Sequence, residues 1–452
     1  MRCQLSQALR TLAIAALLLG PAASAKDFII TKFGATPDTS VLSTRAVQAA
    51  IDACAAAGGG RVVVPAGQFK IGSIFLKSHV NLHLENGALL CGSTRLEDYI
   101  PVKPDYLSLR TQSSTIQLIY AFDADHVSID GQGTIDGCGH VFKKLKATDE
   151  GITRPHLLRF ICCRDVSVSG VTLRNSGCWM QHYLACDRVR IHGITVFNHN
   201  NFNNDALDID GCHDVVISDV IADSDDDALT LKSTSPRLCE NVTVTNCIFS
   251  SFCNAIKLGT ETTGGFRNVT ISHCIVRPSV FEGHQFYGPK ARRGISALSL
   301  EMVDGGILQY VHLSDILVEG TETPFFIRLG NRARPYAEGQ SVPGVGVLEE
   351  VSLSHITVHG AGQIGSSITG LPGHPVRNIR LEHIRVHQQG GCGEVAVPQD
   401  EKEKAYPEGT MWGVLPSKGF FVRHAENVVF EDVSITTEQA DARPDFLKLD
   451  VK

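Results

Sequence analysis

One phrase of alternating β-branched residues returns down most of this chain: VSVSGVTLRN at 166, VRIHGITVFN at 189, VVISDVIADS at 215, VTVTNCIFSS at 242 and VTISHCIVRP at 269. The intervals are 23, 26, 27 and 27 residues. VSIDG at 127 precedes the series, and VHLSDILVEG (311), VSLSHITVHG (351), IRLEHIRVHQ (379) and VVFEDVSITT (428) extend it. Each phrase alternates with a period of two and is broken midway by a small or polar residue that can turn the chain. Strands at that interval with no helices between them indicate a solenoid of parallel strands. A β-sandwich also has many short strands, but it has no reason to hold one phrase in phase over five successive units. Longer intervals, such as 269 to 311, read as coils carrying loops. The loops at 283–293 and 331–340 are expected to wall a binding groove.

One helix is expected. Ser43-Thr44 caps RAVQAAIDACAAAGGG, in which Ala and apolar residues recur at helical spacing and Gly58–Gly60 end it. The N-terminus reads as a secretory signal peptide over 1–25: Arg2 and Arg10, an apolar run at Leu12–Leu19, then Ala23-Ser24-Ala25 as a cleavage pattern. The mature chain then runs from Lys26 to Lys452 as a single domain, secreted or periplasmic. No later stretch is apolar for long enough to span a bilayer. A formal charge of −7 without any basic run argues against nucleic acid as a partner. A monomer is expected.

Fourteen cysteines, thirteen of them after the cleavage pattern, would ordinarily suggest disulfides in an exported chain. Register suggests otherwise. Cys163, Cys186, Cys212 and Cys239 each lie three residues before the anchoring valine of a coil, and Cys247 and Cys274 lie five after theirs. Coils stack about 4.8 Å apart, so these thiols form interior ladders, read here as reduced.

The same register explains why one acidic phrase is spelled twice. Aligned on their alanines, NDALDID (204–210), DDALTLK (226–232) and NAIKLG (254–259) become consecutive turns of one sheet. Asp205, Asp227 and Asn254 share a column; Asp208, Thr230 and Lys257 share a second; Asp210 and Lys232 share a third. The apolar partners Leu207, Ile209, Leu229, Leu231, Ile256 and Leu258 point inward, so the polar residues face outward to solvent. Extended further, the register puts Trp179 and His182 one coil earlier and Arg328 near the Lys257 column two coils later. Carboxylates as close as Asp205, Asp226 and Asp227 cannot all ionise freely, and one should keep its proton towards neutral pH. A protonated acid beside an ionised base is what glycosidic cleavage requires. A calcium site in the oxygen-rich DSDDD stretch and a merely solvated acidic face are the other readings.

These residues resemble the polygalacturonase-type glycoside hydrolases of family 28. The family's NTD motif matches Asn203-Asn204-Asp205 and its DD motif matches Asp226-Asp227. The likeness runs from FGATPDTSVLSTRAVQAAIDACAAAGGGRVVVPAGQF (33–69) to the last coils. It implies an all-β, right-handed parallel β-helix and hydrolysis of a pectic polysaccharide with inversion. Asp226 would be the general acid, and Asp205 and Asp227 the pair activating water. Asp208 would line the cleft, and neither metal nor cofactor is implied. Two motifs depart. Where Gly-His-Gly is expected the chain reads Cys253-Asn254-Ala255, and where Arg-Ile-Lys should grip a uronate it reads ISALSLEMVDGG (295–306). Glu301 adds negative charge there, which leaves Lys257 and Arg328 as the cations nearest the acids, with Lys232, Arg292, Arg293 and Arg332 further off. His182 and Trp179 are candidates to touch sugar, together with Asn254; Tyr287 is expected to wall one end of the groove. The combined expectation is a secreted polygalacturonase-like hydrolase with altered substrate recognition. A polysaccharide lyase on the same fold and a non-catalytic carbohydrate-binding solenoid are the alternatives.

Overall fold

A computed structural model describes residues 26–142, 154–287 and 293–452. The signal-peptide reading (1–25) and Arg292 therefore lie outside the described residues. The chain winds as a right-handed parallel β-helix whose strands stack in three faces, every named pairing being parallel. One face runs through Gln181–Leu184, Leu207–Asp210, Leu229–Ser233, Asn254–Thr262, Gly294–Met302 and Thr321–Leu329. The recurring phrase forms the other two faces: Asp187–His192 then Thr195–Asn198 in one coil, His213–Ser218 then Ile221–Ser224 in the next.

The residue that breaks each phrase is the corner between those faces. Gly170, Gly193, Asp219, Asn246, His273 and Asp315 have φ of +73°, +62°, +58°, +56°, +55° and +56°. Glycine, Asn, Asp and His tolerate the left-handed conformation best, and these are the residues found there. A second corner lies one residue before each anchoring valine, at Arg188, Asp214, Asn241 and Asn268. Its asparagines also stack: the Asn268 side-chain amide donates to Asn241 Oδ1 at 3.0 Å, and that of Asn241 to Asp214 Oδ1 at 2.9 Å.

The core is a set of columns. Leu207, Leu229, Ile256, Leu298 and Phe325 succeed one another coil by coil, each at most 1% exposed. Burying a side chain of that size contributes about 1.5–3 kcal/mol. Cysteines 163, 186, 212 and 239 stand in the interior as fully buried thiols, and no cysteine among the described residues is in a disulfide. Over the N-terminal end, the helix Thr44–Ala56 lays Val47, Ala50, Ile51 and Cys54 against the first coil. Ser43 occupies the N-cap position without capping; its hydroxyl instead accepts from Thr36 N at 3.2 Å.

Stacking leaves no lateral room at some corners. Gly265 has φ +102° and pairs with Ile307, and a Cβ there would lie 1.9 Å from the Ile307 carbonyl oxygen. Gly265→Ala is expected to cost about 1–3 kcal/mol, since both a strained φ and a backbone clash must be accommodated. The shift of the chemical-denaturation midpoint measures it, with Gly193→Ala, where nothing lies within 4 Å of the added carbon, as the control for φ alone.

Candidate active site

The acidic phrase stacks as its spelling implies. Ala206 N donates to Asp227 O at 2.9 Å and Ala228 N to Asn254 O at 3.0 Å, so Asp205, Asp227 and Asn254 lie in consecutive coils. His182, Asp208, Thr230, Lys257 and Ser299 form the second column, and Asp210 and Lys232 pair in the third. Arg328 does not continue the Lys257 column. Ser299 is followed by Phe326, and Arg328 pairs with Glu301 instead. Leu298 and Leu300 face Phe325 and Ile327, and keeping those four in the core fixes the offset. The Arg328 guanidinium is spent on Thr369 Oγ1 (3.3 Å), Gly370 O (3.1 Å) and Glu401 O (2.6 Å), and it lies over the Trp412 ring. It braces the wall and is not presented to a substrate.

The acids face outward from the core, yet they are not solvent-exposed as alternation alone would have them. Asp205, Asp208 and Asp227 are at most 3% exposed, and Asp226, at 8%, is the most open of the set. Three irregular segments cover this face. From the first, Leu109 N donates to Thr234 O (2.8 Å), and Arg110 pairs with Glu261 at 2.8 Å and stacks on Trp179. From the second, Phe286 N donates to Asp225, and the Tyr287 hydroxyl, held by Asn203 Nδ2 at 3.4 Å, meets Asp226. The third brings Tyr406 Oη to Lys257 Nζ (3.2 Å) and Glu408 Oε1 to Asn254 Nδ2 (3.4 Å).

Burial and charge divide the acids into two kinds. Desolvation and then the neighbouring Asp227 charge push Asp226 up to about 6, against the pull of Lys257 and Lys232. Burial would raise Asp227 too, but the Lys257 ammonium at 3.3 Å, Lys232, and the Asn254 amide at 2.8 Å together hold it below the usual carboxylate range. Asp205 is pushed well up by burial and by the charges of Asp208 and Asp226, and Asp208, by burial, to about 8. Lys232 lies 3.9 Å from Asp205, 3.5 Å from Asp208 and 3.6 Å from Glu261. Of the two carboxylates assigned to water by resemblance, Asp227 is thus the ionised one and Asp205 shares the proton of a coupled group.

The remaining predicted residues fall into place unevenly. His182 is fully buried with Nε2 at 3.1 Å from Asp210 Oδ2, and burial lowers its pKa to about 4, so the ring is neutral. Trp179 stands edge-on to it with centroids 5.0 Å apart and carries Lys232 on its face at 4.8 Å. Glu301 reaches the site: Ser299 Oγ donates to its Oε1 at 2.7 Å, and its Oε2 is 4.0 Å from Lys257. Arg332 is locked onto Asp304 with its Nε at 3.0 Å, and Arg293 lies towards Glu322 and Gln389. Asp226, Asp227 and Cys253 bring ligand atoms within 4.8 Å of one another. A thiol and the Lys257 ammonium are poor company for calcium, which takes oxygen donors, so this group does not fit the calcium reading. Arg110, Glu261, Tyr406 and Glu408 went unrecognised in the sequence. Glu261 in GTET follows the aligned strand NAIKLG and was within reach of the register; the other three sit on irregular segments that carry no period.

A family model described as "Glycosyl hydrolases family 28" matches residues 54–281. Among curated proteins, "Probable polygalacturonase" of Vitis vinifera is 31% identical over 211 residues, 44% of this chain and 43% of that protein. "Exo-poly-alpha-D-galacturonosidase" of Dickeya chrysanthemi is 37% identical over 158 residues, 32% of this chain and 25% of that protein. The chain thus spans less than half the length of these two relatives. Among solved structures, the exopolygalacturonase of Thermotoga maritima superposes with a TM-score of 0.66 at 21% identity, covering 90% of this chain and 92% of that one. The family 28 exopolygalacturonase of Yersinia enterocolitica gives 0.69 at 17% identity, covering 95% and 78%. These two likenesses speak for the fold. The family match spans half the chain and takes in both acidic motifs, on coils that bring Asp205, Asp226 and Asp227 together; the chain belongs to family 28 of the glycosyl hydrolases.

Proposed function

We propose that this chain is a secreted, polygalacturonase-like O-glycosyl hydrolase that cleaves a pectic or related polysaccharide with inversion at the anomeric carbon. Asp226 protonates the leaving glycosidic oxygen, and Asp227 draws the proton from the attacking water. Asp205 and Asp208 hold that water and the nearest hydroxyls. The observation that carries the reading is the opposed pair: Asp226 kept protonated up to about pH 6 directly beside Asp227, which Lys257 and Asn254 keep ionised. Family membership and the named activities of the relatives support the pectic substrate class. The apolar run and the Ala23-Ser24-Ala25 pattern support export. No helix among the described residues is long and apolar enough to cross a membrane.

The test is incubation of the purified protein with fractionated pectic polysaccharides, scored for reducing ends and for ultraviolet-absorbing unsaturated ends, with product anomers followed by NMR. Reducing ends of inverted configuration, without unsaturation, are expected. Unsaturated ends would make it a lyase, and binding without release a carbohydrate-binding solenoid.

A further inference from the structure

The cations around the acids are already taken. Lys257 serves Asp227 and Glu301, and Lys232 serves Asp205, Asp208 and Glu261. Arg332 is committed to Asp304, and Arg328 to carbonyl oxygens in the wall. In the segment where the resemblance expects Arg-Ile-Lys, the residue stacked beside Lys257 is Ser299, and the one beside Arg328 is Glu301. The covering segment adds Glu408 on the far side of Asn254. Ionised, Glu301 and Glu408 repel a carboxylate; protonated, they offer it one hydrogen bond but no compensating charge. A uronate entering here would have to share Lys257 with Asp227 or Lys232 with Asp205, Asp208 and Glu261, weakening the compensation of charges that are already buried.

The unpartnered atoms point the same way. Among the described residues, Asp205 Oδ1, both Asp208 oxygens, Asn254 Oδ1 and Glu301 Oε2 are buried without a hydrogen-bond partner, as are the neighbouring hydroxyls of Thr230 and Ser296. The first five are carboxyl or amide oxygens and the two hydroxyls accept as well as donate, so the site calls for a ligand that brings donors as well as acceptors. A carboxylate brings only acceptors, whereas the hydroxyls of an uncharged sugar bring donors.

We infer that the sugar seated over Asn254, Lys257 and Glu301 carries no free carboxylate: it is an uncharged ring, either a neutral glycosyl unit or an esterified uronate. The inference rests on the hydrolase reading above and narrows its substrate. Burial pushes Glu301 up to about 7 and Glu408 up to about 8, so both can also donate to a hydroxyl or an ester carbonyl in mildly acid solution.

The experiment compares kcat/KM of the wild-type protein on de-esterified polygalacturonate, on the same polymer highly methyl-esterified, and on neutral pectic side-chain glycans. Alongside it, binding of trigalacturonate and of its methyl ester to the Asp226→Asn protein is measured by calorimetry. At least a tenfold preference for the ester or for a neutral glycan is expected, and the favoured arm identifies the source of the uncharged ring. Glu301→Gln is expected to narrow that preference several-fold, since one negative neighbour is removed while shape is kept. Equal or better use of the free acid, or tighter binding of it, overturns the inference while leaving the hydrolase reading intact. An unchanged preference in Glu301→Gln overturns the role given to Glu301. If no arm is cleaved and neither oligomer binds, the hydrolase reading fails and takes this inference with it.

Discussion

Asp226→Asn is expected to lower kcat by about 10²–10⁴-fold, the usual contribution of a positioned general acid. The fold should survive, because the amide is nearly the shape of the acid and its oxygen can still accept from Asp227 N, which now donates to Asp226 Oδ1 at 2.9 Å. Two pH signatures separate a lost acid from a damaged structure. In the wild type, kcat/KM should fall as pH rises through about 6, where burial and Asp227 have placed the Asp226 proton. That limb should be missing from the residual activity of the variant. Stability runs in the opposite sense to an ordinary surface carboxylate. The folded pKa of Asp226 is raised, so its contribution is fully present below the unfolded value of about 4 and is lost as pH rises through about 6. Thermal midpoints of wild type and variant should therefore agree near pH 4 and diverge near pH 7 in favour of Asn. Full activity, or a variant melting lower at every pH, would remove Asp226 from the acid role.

Much of this was open to inspection in the sequence, for a physical reason. A solenoid converts interval into adjacency: with coils of nearly constant length, residues 22 and 27 positions apart become neighbours, as Asp205, Asp227 and Asn254 do. The period gave the columns, the cysteine ladders and the Gly, Asp, Asn and His corners. It stopped being informative where coil length changes. Between Lys257 and Arg328 two coils carry loops, and the offset there follows the packing of Phe325 and Ile327, which moved Arg328 out of the predicted column. Alternation also reports only which face a residue is on. It could not show that segments at 99–112, 279–287 and 391–419 fold back over that face, so acids expected in solvent are buried, and the glutamate and tyrosine that complete the site, Glu408 and Tyr406, come from the third of them.

Lys257 joins the electrostatics to the packing, and removing its charge should be felt in both. In Lys257→Met the stem is replaced by a side chain of similar reach, but Asp227 and Glu301 lose the ammonium now 3.3 and 4.0 Å away. Breaking a buried pair by deleting one partner typically costs about 3–5 kcal/mol, because the survivor is left charged and desolvated. The system has one escape, which is to protonate. Lys257 is the strongest influence holding Asp227 down, so without it burial dominates and the Asp227 pKa should climb. Asp227 must be ionised to take a proton from water, so the acid limb of the pH–kcat/KM profile should move to higher pH. The Asp226 limb should follow it by less, because Lys257 acts on Asp226 by charge alone and on Asp227 by charge and a hydrogen bond, and the bell narrows and its peak falls. The double variant Lys257→Met/Glu301→Gln distinguishes the two effects. Removing the second stranded carboxyl should recover part of the lost stability, and the two changes should be non-additive because both groups touch one ammonium. The limb should stay where the single variant put it, since Asp227 is still without its cation. An active Lys257→Met protein with an unmoved acid limb would mean that Asp227 does not owe its charge to Lys257, and the division between Asp226 as acid and Asp227 as base would lose its cause.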